Sequence, residues 1–170
     1  MKKTTSNATD EIVQLIEQHQ ALLYKVVHSY CPDRQEQEDL IQEIILQLIK
    51  AYPTFDHGVK VTTWMYQVAF NVAISHYRKI QTRQKYVVSM PDQLVQVAAS
   101  EPTDMDEEVQ QLRAFIQTLD PLNKALMIMY LDGNSHAEIA AALGISVSNV
   151  GTKIGRIKKR LQQQFKSDHT

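Results

Sequence analysis

Apolar residues recur every three or four positions through most of this 170-residue chain, while the period of two that marks a half-buried strand is nearly absent. The run KYVVSM is the single strand-like stretch. The pattern predicts helices over 10–30, 36–51, 62–80, 107–118, 121–131, 135–143 and 146–165, and therefore an all-α fold. The punctuation agrees. Pro32 and Pro53 follow predicted helix ends, because proline cannot continue a helix interior. Asp120-Pro121 reads as an N-cap followed by the first helical position. Gly133 and Gly144 stand where two helices should stop. Periodicity fails for long only between Arg83 and Asp106, where Pro91 and Pro102 intrude. Two small helical domains, 10–82 and 107–166, are thus expected on either side of a flexible linker, 83–106.

Charge divides the chain in the same places. The formal net charge is −1, but residues 1–85 carry ten basic and nine acidic groups, 86–110 carry six acids and no base, and 111–170 carry eight bases against four acids. The linker is acidic and the C-terminal block basic, an asymmetry that points to different partners. Cys31 is the sole cysteine, so an intramolecular disulfide is excluded, and no Cys/His cluster has metal-ligand spacing. Cys31 reads as a small packing residue. No catalytic Ser/His/Asp set, metal motif or phosphate loop is present, which leaves an enzyme reading with little support and implies no cofactor. The N-terminus lacks a signal-peptide apolar run, and no stretch approaches the roughly 18 apolar residues of a membrane span. A cytoplasmic protein is expected.

The segment SHAEIAAALGISVSNVGTKIGRIKKRL joins a short apolar helix to a longer one through Gly144, with Ser146 as the second helix's N-cap. Helix, glycine turn and helix at this length form a helix-turn-helix pattern. On a wheel, Val150, Ile154, Ile157 and Leu161 make the inward stripe. Ser148, Asn149, Thr152, Arg156 and Lys159 lie on or near the opposite side, with Lys153 at its edge. Short polar groups followed by cations suit base edges and phosphates in a DNA major groove. Gly151 and Gly155 lie on the flank between the two faces, where a missing side chain admits a neighbouring protein backbone or a phosphate; each costs a helix interior about 1 kcal/mol relative to alanine.

In the N-terminal block, QEQEDLIQEIILQLIKAY is strongly amphipathic. Leu40, Ile41, Ile44, Ile45 and Leu48 form the apolar arc, and Leu46 sits among Asp39, Gln42 and Glu43 on the polar side. Spacing alone leaves Leu46 open between an ordinary surface leucine and an apolar docking anchor with a polar rim. In VTTWMYQVAFNVAISHYRK, Val61, Met65, Val68, Ala69, Val72 and Ala73 face inward, and His76 on that arc reads as a core histidine. The other side holds Trp64, Phe70, Ile74 and Tyr77 among Gln67, Asn71, Arg78 and Lys79, a mixture that suits either burial or the stacking of unpaired bases.

Both blocks, in this order, resemble bacterial RNA polymerase sigma factors of the extracytoplasmic-function (ECF) group of the sigma-70 family. The resemblance is carried by EDLIQEIILQL, by FDHGVKVTTWMYQVAFNVAISHYRK and by LDPLNKALMIMYLDGNSHAEIAAALGISVSNVGTKIGRIKKRL. It implies a promoter-specificity subunit that binds core polymerase through the β′ clamp coiled coil and the β flap, recognises minus-thirty-five and minus-ten promoter elements, and melts the promoter. An anti-sigma factor is the implied regulator. By the same resemblance, Asp39, Gln42, Glu43 and Leu46 match the clamp-binding patch. Residues 55–63 match the loop that captures a flipped minus-ten base, with Asp56, His57, Lys60, Thr62, Trp64, Gln67, Asn71 and Arg78 as the DNA-facing set. Ser148, Asn149, Thr152, Lys153, Arg156 and Lys159 match the minus-thirty-five face. The linker matches a connector in the RNA exit path, where its charge would mimic RNA. Ile45 and Ile49 stand where the family often has phenylalanine and tryptophan, apolar swaps that touch only local packing. Gly151 replaces a usual lysine and Lys153 an arginine, and with fewer cations early in that helix a different target element is expected. Two alternatives remain: a helix-turn-helix regulator that binds DNA without polymerase, and a sigma mimic that only titrates a protein partner.

Overall fold

The computed structural model describes residues 3–86 and 106–168, which form two compact units, one on each side of residues 87–105. Among the described residues the regular structure is entirely helical. The predicted linker and KYVVSM lie largely outside them.

The N-terminal unit contains α1 (Lys3–Gln18), α2 (Gln20–Tyr30), α3 (Arg34–Ala51), a 3-10 turn (Tyr52–Thr54) and α4 (Val61–Tyr86). The helix expected over 10–30 is two helices meeting at His19. This residue leaves helical geometry at φ −113° and ψ 24° while its carbonyl accepts from the Leu22 and Leu23 amides. Neither glycine nor proline marks the break, so apolar periodicity runs straight across it. Asp33 starts α3 as an N-cap, accepting from the Gln35 amide at 2.8 Å and the Glu36 amide at 3.4 Å. At its far end α4 continues through Arg83 to Tyr86, where the linker was expected to begin. Arg83 and Lys85 in the last turn complement the negative end of the helix dipole.

α4 packs against both α2 and α3, so one inward arc cannot describe it. Met65, Ala69 and Ala73 are buried as expected, but Val61, Val68 and Val72 are only half-buried, while Tyr66 and Phe70 are buried completely. Phe70 stacks on Tyr66 with centroids 5.3 Å apart and meets Tyr30 edge-on at 6.1 Å. Phe70 is therefore core and not a base-stacking surface. Leu40, Ile44 and Leu48 of α3 are buried, with Ile41 and Ile45 half-buried beside them.

The C-terminal unit is α5 (Glu107–Gln117), α6 (Pro121–Leu131), α7 (His136–Leu143) and α8 (Val147–Asp168). Asp120 caps α6 by accepting from the Asn123 amide. Ser135 and Glu138 form a reciprocal capping box on α7. Gly144 ends α7 at φ +66°, a conformation that side-chain-bearing residues rarely adopt. The Asn149 amide then donates to Ser146 Oγ at 3.1 Å at the start of α8. Phe115, Leu119, Leu126, Met129, Ile139, Val150, Ile154 and Ile157 close the core.

One buried cation interrupts this core. Lys124 on α6 is 6 % exposed and donates to Gln117 Oε1 at 3.2 Å. Burial disfavours the ammonium form, so its pKa lies below the ordinary lysine value of 10.5. Unfolding returns the amine to water, where it binds its proton more readily. Stability therefore rises with pH from the folded pKa up to 10.5. Lys124→Met, by removing the buried charge, is expected to stabilise the C-terminal unit by about 1–2 kcal/mol at neutral pH. Thermal melts should show that advantage shrinking as pH is raised. An unchanged or lowered melting temperature in the variant would contradict this account.

Candidate functional site

Three surfaces gather the residues singled out in the sequence, and each lies opposite a buried stripe of its own helix. The first is on α3. Asp39, Gln42, Glu43 and Leu46 are all exposed, Leu46 at 44 %. At 100° per residue they share an arc of roughly 100°. Gln47 Nε2 donates to Glu43 Oε1 at 2.9 Å and holds that carboxylate against the helix. The result is one large apolar side chain within a rim of carboxylates and an amide.

The second surface runs from the α3–α4 loop along α4. Tyr52 is its support: it is buried, and its hydroxyl donates to Glu11 Oε2 at 3.1 Å, tying the loop to α1. Burial, and then the Glu11 carboxylate, raise the phenol's pKa, so the hydroxyl keeps its proton. Phe55 stacks on Tyr52 at 6.1 Å, and Trp64 lies 4.8 Å from Phe55. His57 meets Phe55 edge-on at 4.9 Å. Asp56 Oδ1 accepts from the Gly58 amide at 2.9 Å and its carbonyl from Val59, which folds residues 56–59 into a tight turn. His57, Lys60 and Asp56 are exposed on this turn, while Thr62 and Trp64 are half-buried. The neighbouring Thr63 is buried and points away from solvent. Beyond the loop, Trp64, Gln67, Asn71 and Arg78 fall within roughly 60° of one another on the wheel, and the last three are exposed. An aromatic ring, two amides and a cation thus line one stripe.

Sequence reasoning did not single out Tyr52, Phe55 or Val59 individually. Val59 is 42 % exposed at the turn. Its signal was present: an apolar residue between Gly58 and Lys60, in a segment with no helical partner for it to face.

The third surface is α8. Ser148, Asn149, Thr152, Arg156 and Lys159 are exposed and Lys153 is half-buried at the edge. Thr152 Oγ1 donates back to the Ser148 carbonyl at 3.1 Å, which orients that hydroxyl along the helix. The cations of this helix divide. Lys158 donates to the Tyr130 hydroxyl and lies 4.6 Å from the centre of that ring, and Arg160 lies 5.9 Å from the centre of Phe115. Both bind their own unit, leaving Lys153, Arg156 and Lys159 as the outward set.

The two helical glycines resolve in part. A Cβ at Gly151 would meet only the His136 ring, with Nδ1 at 3.8 Å and Cε1 at 3.9 Å, an ordinary contact, and one at Gly155 would meet nothing within 4 Å. A close protein backbone within the unit is therefore not what the glycines accommodate. Gly155→Ala should raise the stability of the unit by about 1 kcal/mol through helix propensity alone, measurable as a higher melting temperature. A lower one would mean that the position is constrained within the fold.

Comparison with known proteins supplies the context. Residues 15–84 match the family Sigma-70 region 2, and residues 109–161 match Sigma-70, region 4. The chain is 28% identical over 150 residues to the ECF RNA polymerase sigma factor SigX of Bacillus subtilis, covering 84% of this chain and 77% of that protein. It is 29% identical over 161 residues to SigM of the same organism, covering 92% and 94%. Among solved structures, the sigma factor RpoE of Bartonella quintana, in complex with the anti-sigma factor NepR, is similar with a TM-score of 0.74 at 19% identity, covering 93% of this chain and 98% of that one. CnrH in complex with the cytosolic domain of CnrY gives 0.67 at 20%, covering 96% of both.

Proposed function

Because this chain belongs to the sigma-70 family, in its ECF group, we propose a specific division of labour among its three surfaces. As a sigma factor it is a promoter-specificity subunit: it binds core RNA polymerase and promoter DNA and starts transcription. In our reading residues 10–82 dock on the polymerase and handle the minus-ten element, residues 107–166 read the minus-thirty-five element, and residues 83–106 connect them. The bond-making chemistry belongs to the polymerase, and the protein works in the cytoplasm. No described helix is long and apolar enough to cross a membrane.

Leu46 is assigned to the β′ clamp coiled coil, with Asp39, Gln42 and Glu43 around it. The observation that carries the assignment is a large apolar side chain, 44 % exposed, on the polar face of a helix whose opposite face is fully buried. The loop turn with His57, Lys60 and Thr62 is assigned to a flipped minus-ten base. Trp64, Gln67, Asn71 and Arg78 receive the strand beyond it. Extruding a base costs a few kcal/mol, which stacking and edge hydrogen bonds can offset. The α8 face, with Ser148, Asn149 and Thr152 ahead of Lys153, Arg156 and Lys159, enters the major groove, and the C-terminal unit also meets the β flap. The six acids within residues 86–110 suit a path built for RNA. An anti-sigma protein, the class of partner held by the Bartonella quintana neighbour, is the proposed regulator.

Leu46→Asp places a charge in the centre of the docking patch and is expected to weaken binding to core polymerase at least tenfold. Circular dichroism of the free protein should be unchanged, since the side chain faces solvent. Undiminished core binding in a pull-down would remove this assignment, and absence of core binding by the wild-type chain would favour a DNA-binding regulator that acts without polymerase. Failure of run-off transcription despite normal core binding would favour a sigma mimic. Arg156→Ala separates two kinds of DNA contact. If the guanidinium holds phosphate, affinity falls for every sequence and the slope of binding against salt flattens by about one ion. If it reads a base edge, roughly 1–3 kcal/mol of discrimination is lost at one position. A variant indistinguishable from wild type on both readouts would remove Arg156 from the DNA face.

A further inference from the structure

The junction of α2, α3 and α4 brings His76 beside Cys31 and Glu36, which are five residues apart in sequence. Cys31 caps the end of α2 and is fully buried. Glu36 sits in the first turn of α3, half-buried, and His76 lies on α4, also half-buried. The Cys31 Sγ is 3.8 Å from Glu36 Oε2 and 3.6 Å from the Asp33 carbonyl oxygen. One sulfur, one carboxylate oxygen and one imidazole nitrogen all lie within 4.8 Å of one another. His76 Nε2 is buried and has no hydrogen-bond partner. A buried ring nitrogen left in that state destabilises the fold unless something engages it.

We propose that Cys31, Glu36 and His76 form a binding site for a single divalent metal ion of the zinc class. A sulfur, a nitrogen and an oxygen donor select a borderline ion such as zinc or cobalt over magnesium or calcium. The spacing fits. With a metal–sulfur bond of about 2.3 Å and metal–nitrogen or metal–oxygen bonds of about 2.0 Å, tetrahedral ligand atoms stand ~3.5 Å apart. Closing the remaining gap falls to side-chain rotation of Glu36 and His76. Charge balances as well: thiolate and carboxylate together carry the two negative charges that a divalent ion neutralises, and an imidazole nitrogen donor adds none. On binding, the ion forms a sulfur–metal bond and the thiol's S–H bond breaks. One proton then leaves to solvent per ion, with no change of oxidation state.

Burial, and then the Glu36 charge, push the free thiol's pKa up to about 11. Cys31 is thus protonated and unreactive until a cation replaces that proton. Three protein ligands leave the fourth position for water or a donor from another molecule, which makes the site exchangeable and not a closed structural knot. The ion would fasten the end of α2 and the first turn of α3 to α4. The inference stands apart from the assignment of any surface to polymerase or DNA.

Cobalt titration of the reduced, metal-free full-length chain tests it. Cys31 is the only cysteine, so a thiolate-to-cobalt charge-transfer band can arise nowhere else. The expected result is a band that saturates at one ion per chain, is displaced by zinc, and accompanies a rise of several degrees in melting temperature. Cys31→Ser should abolish the band and the rise, and His76→Gln should weaken cobalt binding at least tenfold. Glu36→Gln, at a half-exposed position, should weaken it as well and serves if either buried-site variant fails to fold. Absence of a charge-transfer band at saturating cobalt would overturn the proposal. So would a band whose affinity is unchanged in both His76→Gln and Glu36→Gln.

Discussion

The seam between α3 and α4 governs what the N-terminal unit can present. Leu40, Ile44 and Leu48 are buried on one helix, and Met65, Ala69 and Ala73 on the other. Two alanines in successive turns let the helix axes approach closely. Once that seam forms, the orientation of everything else on these two helices follows from 3.6 residues per turn. Leu46 must face outward because Ile44 and Leu48 face inward. Gln67, Asn71 and Arg78 must share a stripe because Met65, Ala69 and Ala73 occupy another. Burial, which supplies most of the stability, thereby also orients the polar and aromatic groups that bury nothing.

The C-terminal unit solves the same problem with different parts. Its turn depends on Gly144 in the left-handed region and on Ser146 capping the helix that follows. Lys158 and Arg160 are drawn back onto Tyr130 and Phe115, so the basic run at the end of α8 is less of an outward face than its composition suggests. The outward cations are spaced at Lys153, Arg156 and Lys159, successive positions three apart along one side. In the proposed major-groove pose that spacing tracks a single phosphate backbone, while the short side chains at the helix start leave room for base edges. The space around Gly155 lies beside this row, so a side chain there would project outward and not into the fold.

Much of this was legible from spacing. The helices, the capping signals at Asp120 and Ser146, the buried stripe Val150, Ile154 and Ile157 and the exposed Leu46 all follow from periodicity and punctuation. What escaped did so for physical reasons. The break at His19 carries no glycine or proline, because it relies on ordinary residues whose amides and carbonyls find partners on both sides. Phe70 and Tyr66 could not be assigned to the core from one wheel, since α4 is covered on two sides and a wheel allows for one. The cluster of Cys31, Glu36 and His76 escaped because Cys31 and Glu36, five residues apart, make no metal-site signature by themselves, and His76 joins them from α4 only after packing.

The same distinction explains why the α3–α4 loop holds its form. Short loops without apolar anchors sample many conformations, and fixing each residue costs about 1–2 kcal/mol of backbone entropy. Here Phe55 and Trp64 close over Tyr52, whose hydroxyl is fastened to Glu11 on α1, and Asp56 folds the tip back onto the Gly58 amide. The entropy of ordering the loop is thus met during folding and not at the moment of binding. For a partner that must itself be distorted, such as a base drawn out of its stack, a preformed receiver matters more than additional contacts, because only interactions that are already organised remain available to offset the distortion. In the proposed role Tyr52 would contribute without facing the base: the aromatic group that would meet it is held in place by one that is buried beneath it.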